Sequence, residues 1–389
     1  MGSRLWRLRK PQVTAGPEMP DNPVKAKISV MNWVQAADDA SQVTADVGLK
    51  DAEKLDSNIR ILFSLAGNYL ANQSPDLHQA TRVLEDESKI EFIVANDLFM
   101  TPSARYADLL LPETSFMERW NIGETWGTAS YLILSEKLIE PEFERRSDYD
   151  WLREVAAKLG VEPAFSEGRD EKAWIEHIWE QTRLSMPDEN LPDFATLQKT
   201  RQHLFKSAPF VAFEDNIRDP QNHPFPTPSG KIEIFSKRLY DMHHPEIPAL
   251  SHYVPAHEGP EDALAKRFPL QLITWKGKNR ANSTQYANPW LIEAQQQKLW
   301  INPQDAQKRG IAQEIPCVFI TRAAFARSRR RVTPRIIPGV VAMQAGAWWQ
   351  PDEQGIDKGG CANVLSSARI TALAKGNSHQ TMLVEVAKA

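Results

Sequence analysis

Two short apolar runs separated by one helical segment constrain the fold of this chain more than any other sequence feature. Ile59–Leu65 and Ile90–Val94 have the length and composition of buried strands, and each ends in small polar residues. Between them, Ser74 and Pro75 form a helix start signal, followed by apolar residues on one helix face. Those residues are Leu77, Ala80, Val83 and Leu84. Successive strand–helix–strand units predict an α/β fold with a parallel sheet.

The pattern of elements along the chain predicts five regions. They are an irregular N-terminal segment (1–57), an α/β region (58–146), a mostly helical region (147–245), a linker (246–268) and a region of short strands (269–389). Many short strands in the last region predict a compact β-barrel-like domain.

Individual elements follow from the same signals. Ser147 caps a predicted helix that ends at Gly160, and Asn302 with Pro303 starts another that ends at Gly310. The first of these helices carries a predicted buried stripe of Trp151, Leu152, Val155, Ala156 and Leu159. The later predicted strands are Lys231–Ser236, Leu270–Trp275, Leu299–Ile301, Gly339–Gln344, Asn363–Leu365 and Met382–Val386.

Composition excludes several classes of protein. A net charge of −4 and a pI near 6.2 give no broad basic field, so we expect no nucleic acid partner. Two cysteines cannot build a disulfide framework. The uncharged stretch Ile336–Gln350 is interrupted by proline and glycine and is too short to span a bilayer. No apolar signal region follows the basic start, which predicts a cytoplasmic location for the chain as written.

Polar residues follow both predicted strands of the α/β region, where ligands of parallel sheets bind. They are Gly67, Asn68, Asn72 and Gln73 after the first strand, and Asn96, Asp97, Thr101 and Ser103 after the second. Helix N-termini favour phosphates, and Asn or Asp side chains suit ribose hydroxyls or a guanine edge. The alternative is that these residues serve only as turn formers and helix caps.

Familiar catalytic and nucleotide-binding motifs are absent. The sequence has no G-x-G-x-x-G, no P-loop, no H-E-x-x-H and no G-x-S-x-G. Four histidines near the linker are interpreted as solvated loop residues rather than a metal cluster; they are His243, His244, His252 and His257. From the residues alone, the chain is a binding scaffold without an evident catalytic base or nucleophile.

Several ordered blocks resemble the molybdopterin-dependent oxidoreductases of the dimethyl sulfoxide reductase family. The blocks are GNYLANQSPD (Gly67–Asp76), EFIVANDLFMTPSARYADLLLPETSFMER (Glu91–Arg119), FERRSDYDWLREVAAKLG (Phe143–Gly160), TPSGKIEIFSKRL (Thr227–Leu239), LWINPQDAQKRGI (Leu299–Ile311), VTPRIIPGVV (Val332–Val341) and GGCANVLSSARITALAKGN (Gly359–Asn377). The likeness is greatest to catalytic subunits of anaerobic dimethyl sulfoxide reductases and selenate-reductase-like relatives.

The resemblance implies a cofactor, molybdenum held between two molybdopterin guanine dinucleotides, beneath a C-terminal six-stranded barrel of the double-psi type. The residues that match cofactor-binding positions of the family are Gly67, Asn68, Gln73, Asp97, Thr101, Ser103, Lys278, Ser283, Thr284, Asn363 and Asn377. At Asn282 this chain departs from the histidine that similar relatives often carry. No catalytic residue and no metal ligand are assigned to this chain.

The resemblance also implies what this sequence does not contain. Family members supply an iron–sulfur cluster motif and the protein ligand of molybdenum from a first half that these blocks do not match. We therefore expect the C-terminal half of an oxidoreductase that reduces S-oxides, N-oxides or selenate and is inactive alone. Expected partners are an iron–sulfur electron-transfer subunit, a membrane anchor subunit and a complementary N-terminal fragment, and intact relatives are periplasmic. The alternative is a non-enzymatic remnant or binding module that retains affinity for a guanine nucleotide or a partner fragment.

One segment conflicts with the family pattern. Ile311–Pro338 contains no Gly, Asn or Asp, and five of the ten residues from Arg322 to Arg331 are arginines. The family places a hairpin here, which is hard to close without a turn-forming residue. We hypothesise that compensating reading-frame slips replaced residues 313–331; the alternative is a divergent surface loop.

Overall fold

The computed structural model describes residues 21–124, 131–205, 211–312, 317–321, 325–378 and 381–388. The strands are β1 (Ile61–Leu65), β2 (Phe92–Asp97), β3 (Leu109–Pro112), β4 (Asn121–Glu124), β5 (Tyr131–Ser135), β6 (Gln202–Leu204), β7 (Leu270–Trp275), β8 (Lys298–Ile301), β9 (Cys317–Ile320), β10 (Phe325–Val332), β11 (Val340–Gln344) and β12 (Met382–Lys388). The helices are α1 (Trp33–Asp38), α2 (Leu77–Leu84), α3 (Asp148–Lys158), α4 (Glu162–Ser166), α5 (Glu171–Ser185), α6 (Phe194–Thr200), α7 (Glu214–Arg218), α8 (Lys237–Asp241), α9 (Pro289–Ala294) and α10 (Pro303–Lys308).

The chain divides into two compact units. One, which we call the barrel unit, contains Pro23–Leu110 and Lys237–Ala389; the other, the helical unit, contains Leu111–Ser236. The chain therefore leaves the barrel unit and returns to it. The region boundaries expected from the sequence stay predictions.

The barrel unit begins with the expected parallel sheet. β1 pairs with β2 in parallel, and the sheet order is β1-β2-β3. Helix α2 buries the predicted apolar face, but it starts later than predicted. Asp76, in a left-handed conformation, caps α2 by accepting a hydrogen bond from the backbone N–H of Gln79. Ser74 instead accepts from the indole of Trp33 and donates to the carbonyl of Tyr69, so it is not available as a cap.

The C-terminal part of the barrel unit closes into a six-stranded barrel. The strand order around it is β10-β8-β11-β7-β12-β9. Fully buried apolar side chains fill the interior, among them Leu272, Leu299 and Met343. The predicted α/β fold with a C-terminal barrel is thus confirmed. The predicted strand Asn363–Leu365 is wrong, because the Leu365 N–H donates to the Ala362 carbonyl and closes a single 3-10 turn there.

The segment without turn formers does contain a strand pair. β9 and β10 are antiparallel, with Ile320 opposite Phe325 and Cys317 opposite Ser328. β10 also pairs in parallel with β8, so both β9 and β10 belong to the barrel wall. The surface-loop alternative is wrong for these two stretches. The linking residues 322–324 and residues 313–316 lie outside the described residues, and the reading-frame hypothesis stays untested.

The helical unit combines α3 to α7 with the antiparallel strands β4, β5 and β6. Its core includes the fully buried side chains of Leu132, Trp179 and Leu197. Ser147 caps α3 as predicted, by accepting from the Asp150 N–H. Only part of the predicted α3 stripe is covered, since Leu159 at the helix end is 71% exposed.

Residues 231–236 are not the predicted strand. Ile232 and Ile234 point into solvent, and the Ser229 N–H and the Thr227 hydroxyl bond locally to Glu233 and Lys231. Alternating apolar residues form a strand only where another strand pairs with them. Here the Lys231 carbonyl and the Glu233 side chain bond within a local turn instead.

Candidate cofactor site

The loops that follow β1 and β2 are joined by one buried serine. The Ser103 hydroxyl donates to the side-chain oxygen of Asn68 at 2.9 Å and accepts from the Ala71 N–H at 3.1 Å. The Ser103 N–H also donates to the Asn68 oxygen. Because Asn68 follows β1 and Ser103 follows β2, these bonds fix the two strand ends together, as the parallel sheet predicted.

A second set of bonds shapes the loop after β2. The Thr101 hydroxyl donates to the Asp97 carboxylate at 3.2 Å and accepts from the Ala104 N–H. Thr101 and Ser103 are both buried. These two predicted site residues therefore set the conformation of the loop, which agrees with the turn-and-cap alternative for their hydroxyl groups.

Asn72 connects the loop after β1 to the barrel. Its side-chain oxygen accepts from the Trp349 N–H at 2.9 Å, and its carbonyl accepts from the Asn363 side chain at 2.7 Å. Asn363 also donates to the carbonyl of Gln73. The predicted residues Gln73 and Asn363 are thus in direct contact.

Hydrogen bonds from Arg280 anchor the barrel loop that carries Lys278, Ser283 and Thr284. Arg280 donates to the Ala345 carbonyl and to the side chain of Gln297. Burial lowers the pKa of the Arg280 guanidinium, whose positive charge lies 5.1 Å from the ring centre of Tyr286. Desolvation raises the pKa of Tyr286 to about 12, so its phenol stays neutral at physiological pH.

Gly346 allows this loop to lie directly on the barrel. Its φ is +89°, and an added Cβ would stand 1.7 Å from the carbonyl oxygen of Asn282. The Trp348 indole then donates to the Ser283 carbonyl at 2.9 Å. Close backbone approach of this kind requires glycine.

The strand-end loop and the barrel loop share a cleft of about 310 Å³. Phe99, from the loop after β2, lines one side, and Gln285, Trp290 and Trp348 line the other. None of the residues that line this cleft is one of the predicted cofactor-binding residues. Its volume and aromatic walls are compatible with part of a nucleotide-containing ligand.

A buried carboxylate organises the turn between Trp349 and Asn363. Asp357 is fully buried and accepts backbone N–H groups from Gln350, Gly359 and Cys361 at 3.0, 3.0 and 2.6 Å. Desolvation raises its pKa to about 6, although the three N–H groups act in the opposite direction. Asp357 therefore positions the segment from which Asn363 reaches the loop after β1.

Buried polar atoms without a hydrogen-bond partner indicate where a polar cofactor could bind. Among the described residues, the buried side-chain nitrogen of Asn68 and both polar side-chain atoms of Asn377 have no hydrogen-bond partner. Buried amide groups without partners cost stability, and a ligand that accepts or donates there removes that cost. The residues present fit a polar, nucleotide-bearing group.

The predicted site residues are not all linked by direct bonds. Asn68 contacts Ser103, Asp97 contacts Thr101, and Gln73 contacts Asn363. Gly67 accepts from the Ser64 hydroxyl beside the first loop. Lys278 and Thr284 are exposed on the barrel loop, and Asn377 lies in a separate turn, opposite Ile370. Cofactor contact at each of these positions stays a prediction.

Sequence reasoning missed Trp349, Asp357 and Arg280. Only Asp357 had a local signal, because Gly355, Gly359 and Gly360 surround it in a turn-rich stretch. Arg280 and Trp349 act through bonds to residues distant in sequence, which a single sequence does not reveal.

Two further properties bear on the chemistry. Within the part of the chain that the structure describes, no group of three or more His, Cys, Asp or Glu side chains is placed to hold a metal ion. No helix of that part combines the length and apolar character needed to cross a membrane. Cys317 and Cys361 are both buried thiols.

The fold is a parallel α/β sheet followed by a closed six-stranded barrel, with an aromatic-lined cleft beside the loops of both. The model of the molybdopterin oxidoreductase family matches residues 20–158, and that of the molydopterin dinucleotide binding domain matches residues 270–383. These matches span more than half of the chain, so it belongs to the molybdopterin oxidoreductase family.

Curated relatives of this chain include reductases. The chain is 39% identical to dimethyl sulfoxide reductase DmsA of Escherichia coli over 95% of its own length and 46% of that protein. It is 33% identical to the dimethyl sulfoxide/trimethylamine N-oxide reductase of Cereibacter sphaeroides, over 82% of this chain and 41% of that protein. The chain thus spans about half the length of the curated relatives it matches.

The fold agrees with that of a solved structure. Acetylene hydratase from Pelobacter acetylenicus superposes with a TM-score of 0.68 at 18% identity, over 92% of this chain and 46% of that one. At this identity the likeness concerns the fold alone.

Proposed function

We propose that this chain is the C-terminal portion of a catalytic subunit that uses two molybdopterin guanine dinucleotides to remove oxygen from S-oxides, N-oxides or selenate in anaerobic respiration. The observation that carries the proposal is the shared cleft between the strand-end and barrel loops, in a chain whose relatives are dimethyl sulfoxide reductases.

In this proposal the chain's own residues bind and orient the nucleotide end of the cofactor. Asn68 and Asn377 offer unsatisfied amide groups, while Asn72, Asn363 and Asp357 hold the loops in place. When bound, the molybdenum–pterin group supplies the two-electron redox centre. The protein's part is positioning and exclusion of water.

We further propose that this polypeptide has no turnover alone, because an iron–sulfur motif and a molybdenum ligand are expected on the half of the relatives that it does not match. Electrons would then arrive through an iron–sulfur electron-transfer subunit with a membrane anchor.

The test is production of the chain with and without the unmatched N-terminal part of Escherichia coli DmsA in the same cells. We expect molybdenum, pterin and dye-driven dimethyl sulfoxide reduction only in the two-part preparation. Equal activity and molybdenum content of the chain alone would contradict the proposal that it is inactive by itself.

A further inference from the structure

The helical unit contains a cleft of about 490 Å³ that is lined by none of the predicted cofactor-binding residues. Its walls come from the start of β4 and from helices α3, α4 and α5, all within this one unit. A cleft of this volume can hold a small organic molecule. The shape and charge of the lining side chains indicate which class of molecule it suits.

Four aromatic side chains line the cleft: Trp120, Tyr149, Phe165 and Trp174. The rings of Tyr149 and Phe165 stack, with centres 5.5 Å apart and planes inclined by 19°. The Tyr149 hydroxyl accepts from the Trp174 indole N–H at 3.0 Å and donates to the Arg169 carbonyl at 2.6 Å. These contacts fix the aromatic wall before any ligand arrives, which lowers the entropy cost of binding.

Two carboxylates line the same cleft. Asp148 is the first residue of α3, and Glu171 is the first residue of α5. Among the described residues, the buried Oδ1 atom of Asp148 has no hydrogen-bond partner. Glu171 accepts from the Trp120 N–H at 2.9 Å, and burial raises the pKa of its carboxyl group. A cation in the cleft would offset the cost of burying both carboxylates.

The basic residues around the cleft leave this negative charge unmatched. Arg119 lines the cleft, but its guanidinium donates to the buried Glu113 carboxylate at 2.9 Å. Lys172 and Arg169 each lie over an indole ring, 5.0 and 4.7 Å from the ring centre, and neither lines the cleft. The cleft therefore favours a positive ligand over a negative one, and two of its rings already take part in cation–π contacts.

We propose that this cleft binds a small organic cation with a quaternary or tertiary ammonium group, held between the aromatic walls and the carboxylates of Asp148 and Glu171. Aromatic ring faces attract cations, and a bulky ammonium group fits such walls because it is weakly hydrated. The inference goes beyond the proposed function, since the cleft contains no residue of the candidate cofactor site.

The experiment is a ligand-observed NMR titration of the full chain with three probes of similar shape. They are choline, its neutral analogue with carbon in place of nitrogen, and the anion tert-butylacetate. We expect choline to bind at least about tenfold more tightly than the neutral analogue, and the anion to bind most weakly. Equal affinities, tighter binding of the anion or no binding of choline would overturn the inference.

Charge-removing variants locate the binding to this cleft. Asp148→Asn keeps the shape of the side chain and should weaken choline binding at least about fivefold, with the neutral analogue unaffected. Glu171→Gln should weaken choline binding at least about threefold, and its amide oxygen can still accept from the Trp120 N–H. Circular dichroism checks that each variant is folded.

Asp150→Asn is the matched control, because Asp150 lies in the same first turn of α3 but is exposed and does not line the cleft. It should change choline affinity less than about twofold. Equal effects of the Asp148 and Asp150 variants would overturn the inference, as would folded Asp148 and Glu171 variants that bind choline normally. Either result would mean that the two carboxylates only stabilise the helix starts.

Discussion

The carboxyl end of strand β1 and its outer edge differ in how many partners they find within this chain. At its carboxyl end, Asn68 and Asn72 bond to the loop after β2 and to the barrel, and Leu70 and Ala71 between them are buried. Along its outer edge, Phe63 lies in solvent and the N–H groups are free of strand partners. The loops around the candidate cofactor site are held together by bonds within this chain, whereas the outer edge of β1 has no strand partner among the described residues.

The largest expected effect is on the barrel loop, at the point where it packs directly on Gly346. Gly346→Ala would place a Cβ 1.7 Å from the Asn282 carbonyl oxygen, so we expect a loss of at least about 4 kcal/mol in the free energy of unfolding. Gly339→Ala is the matched control, because its φ of +83° is similar but no atom lies within 4 Å. It should cost only about 1–2 kcal/mol. Denaturant unfolding measures both, and equal losses would contradict the close approach.

A pH dependence should follow from Asp357. Its pKa is raised from 3.8 to about 6 in the folded protein, so the folded state holds more protons between those values. The free energy of unfolding should therefore fall by up to about 3 kcal/mol as pH rises from about 4 to about 7. Asp357→Asn lacks this titration, so the stability of the wild type relative to the variant should fall over that range. Parallel pH profiles would show that Asp357 has an ordinary pKa.

A smaller loss is expected at the contact between barrel and loop. Asn363→Ala removes the side-chain bonds to the carbonyls of Asn72 and Gln73 and should cost about 1–2 kcal/mol. Asn222→Ala removes an exposed bond to Asp219 and should cost less than about 0.5 kcal/mol. If the two variants lose equal stability in urea, the contact does not hold the loops together.

The smallest effect is expected on the exposed face of β1. Phe63→Ala should change the free energy of unfolding of the chain alone by less than about 0.5 kcal/mol, since the ring is 55% exposed. Leu62→Ala, next along the same strand, should cost about 2–4 kcal/mol because Leu62 is only 8% exposed. A large loss for Phe63→Ala would mean that the outer face of β1 is already covered.

The sequence predicted the elements whose signals are local. The two parallel strands, the caps at Ser147 and Asn302 and the closed barrel are confirmed, because strand length, apolar runs and cap chemistry act over a few residues. Residues 231–236 and 363–365 failed as strands, since their hydrogen-bonding groups find partners within local turns.

The candidate site was predictable in part. Strand-end logic brought Asn68 and Ser103 together, and the resemblance added Asn363 beside Gln73. The pairing of β9 with β10 could not be predicted from the residues themselves, because they carry no turn signal, although the resemblance implied a hairpin there. Arg280 and Asp357 were missed for a similar reason: burial and backbone bonds within the fold define their roles.

The most direct test of the account is the nucleotide content of the two-part preparation. Acid hydrolysis of the complex should release GMP together with a pterin derivative. Asn68→Ala, which removes a side-chain nitrogen without a hydrogen-bond partner, should reduce the GMP recovered per chain. A stable, active complex that releases no guanine nucleotide would contradict the claim that these loops hold a molybdopterin guanine dinucleotide.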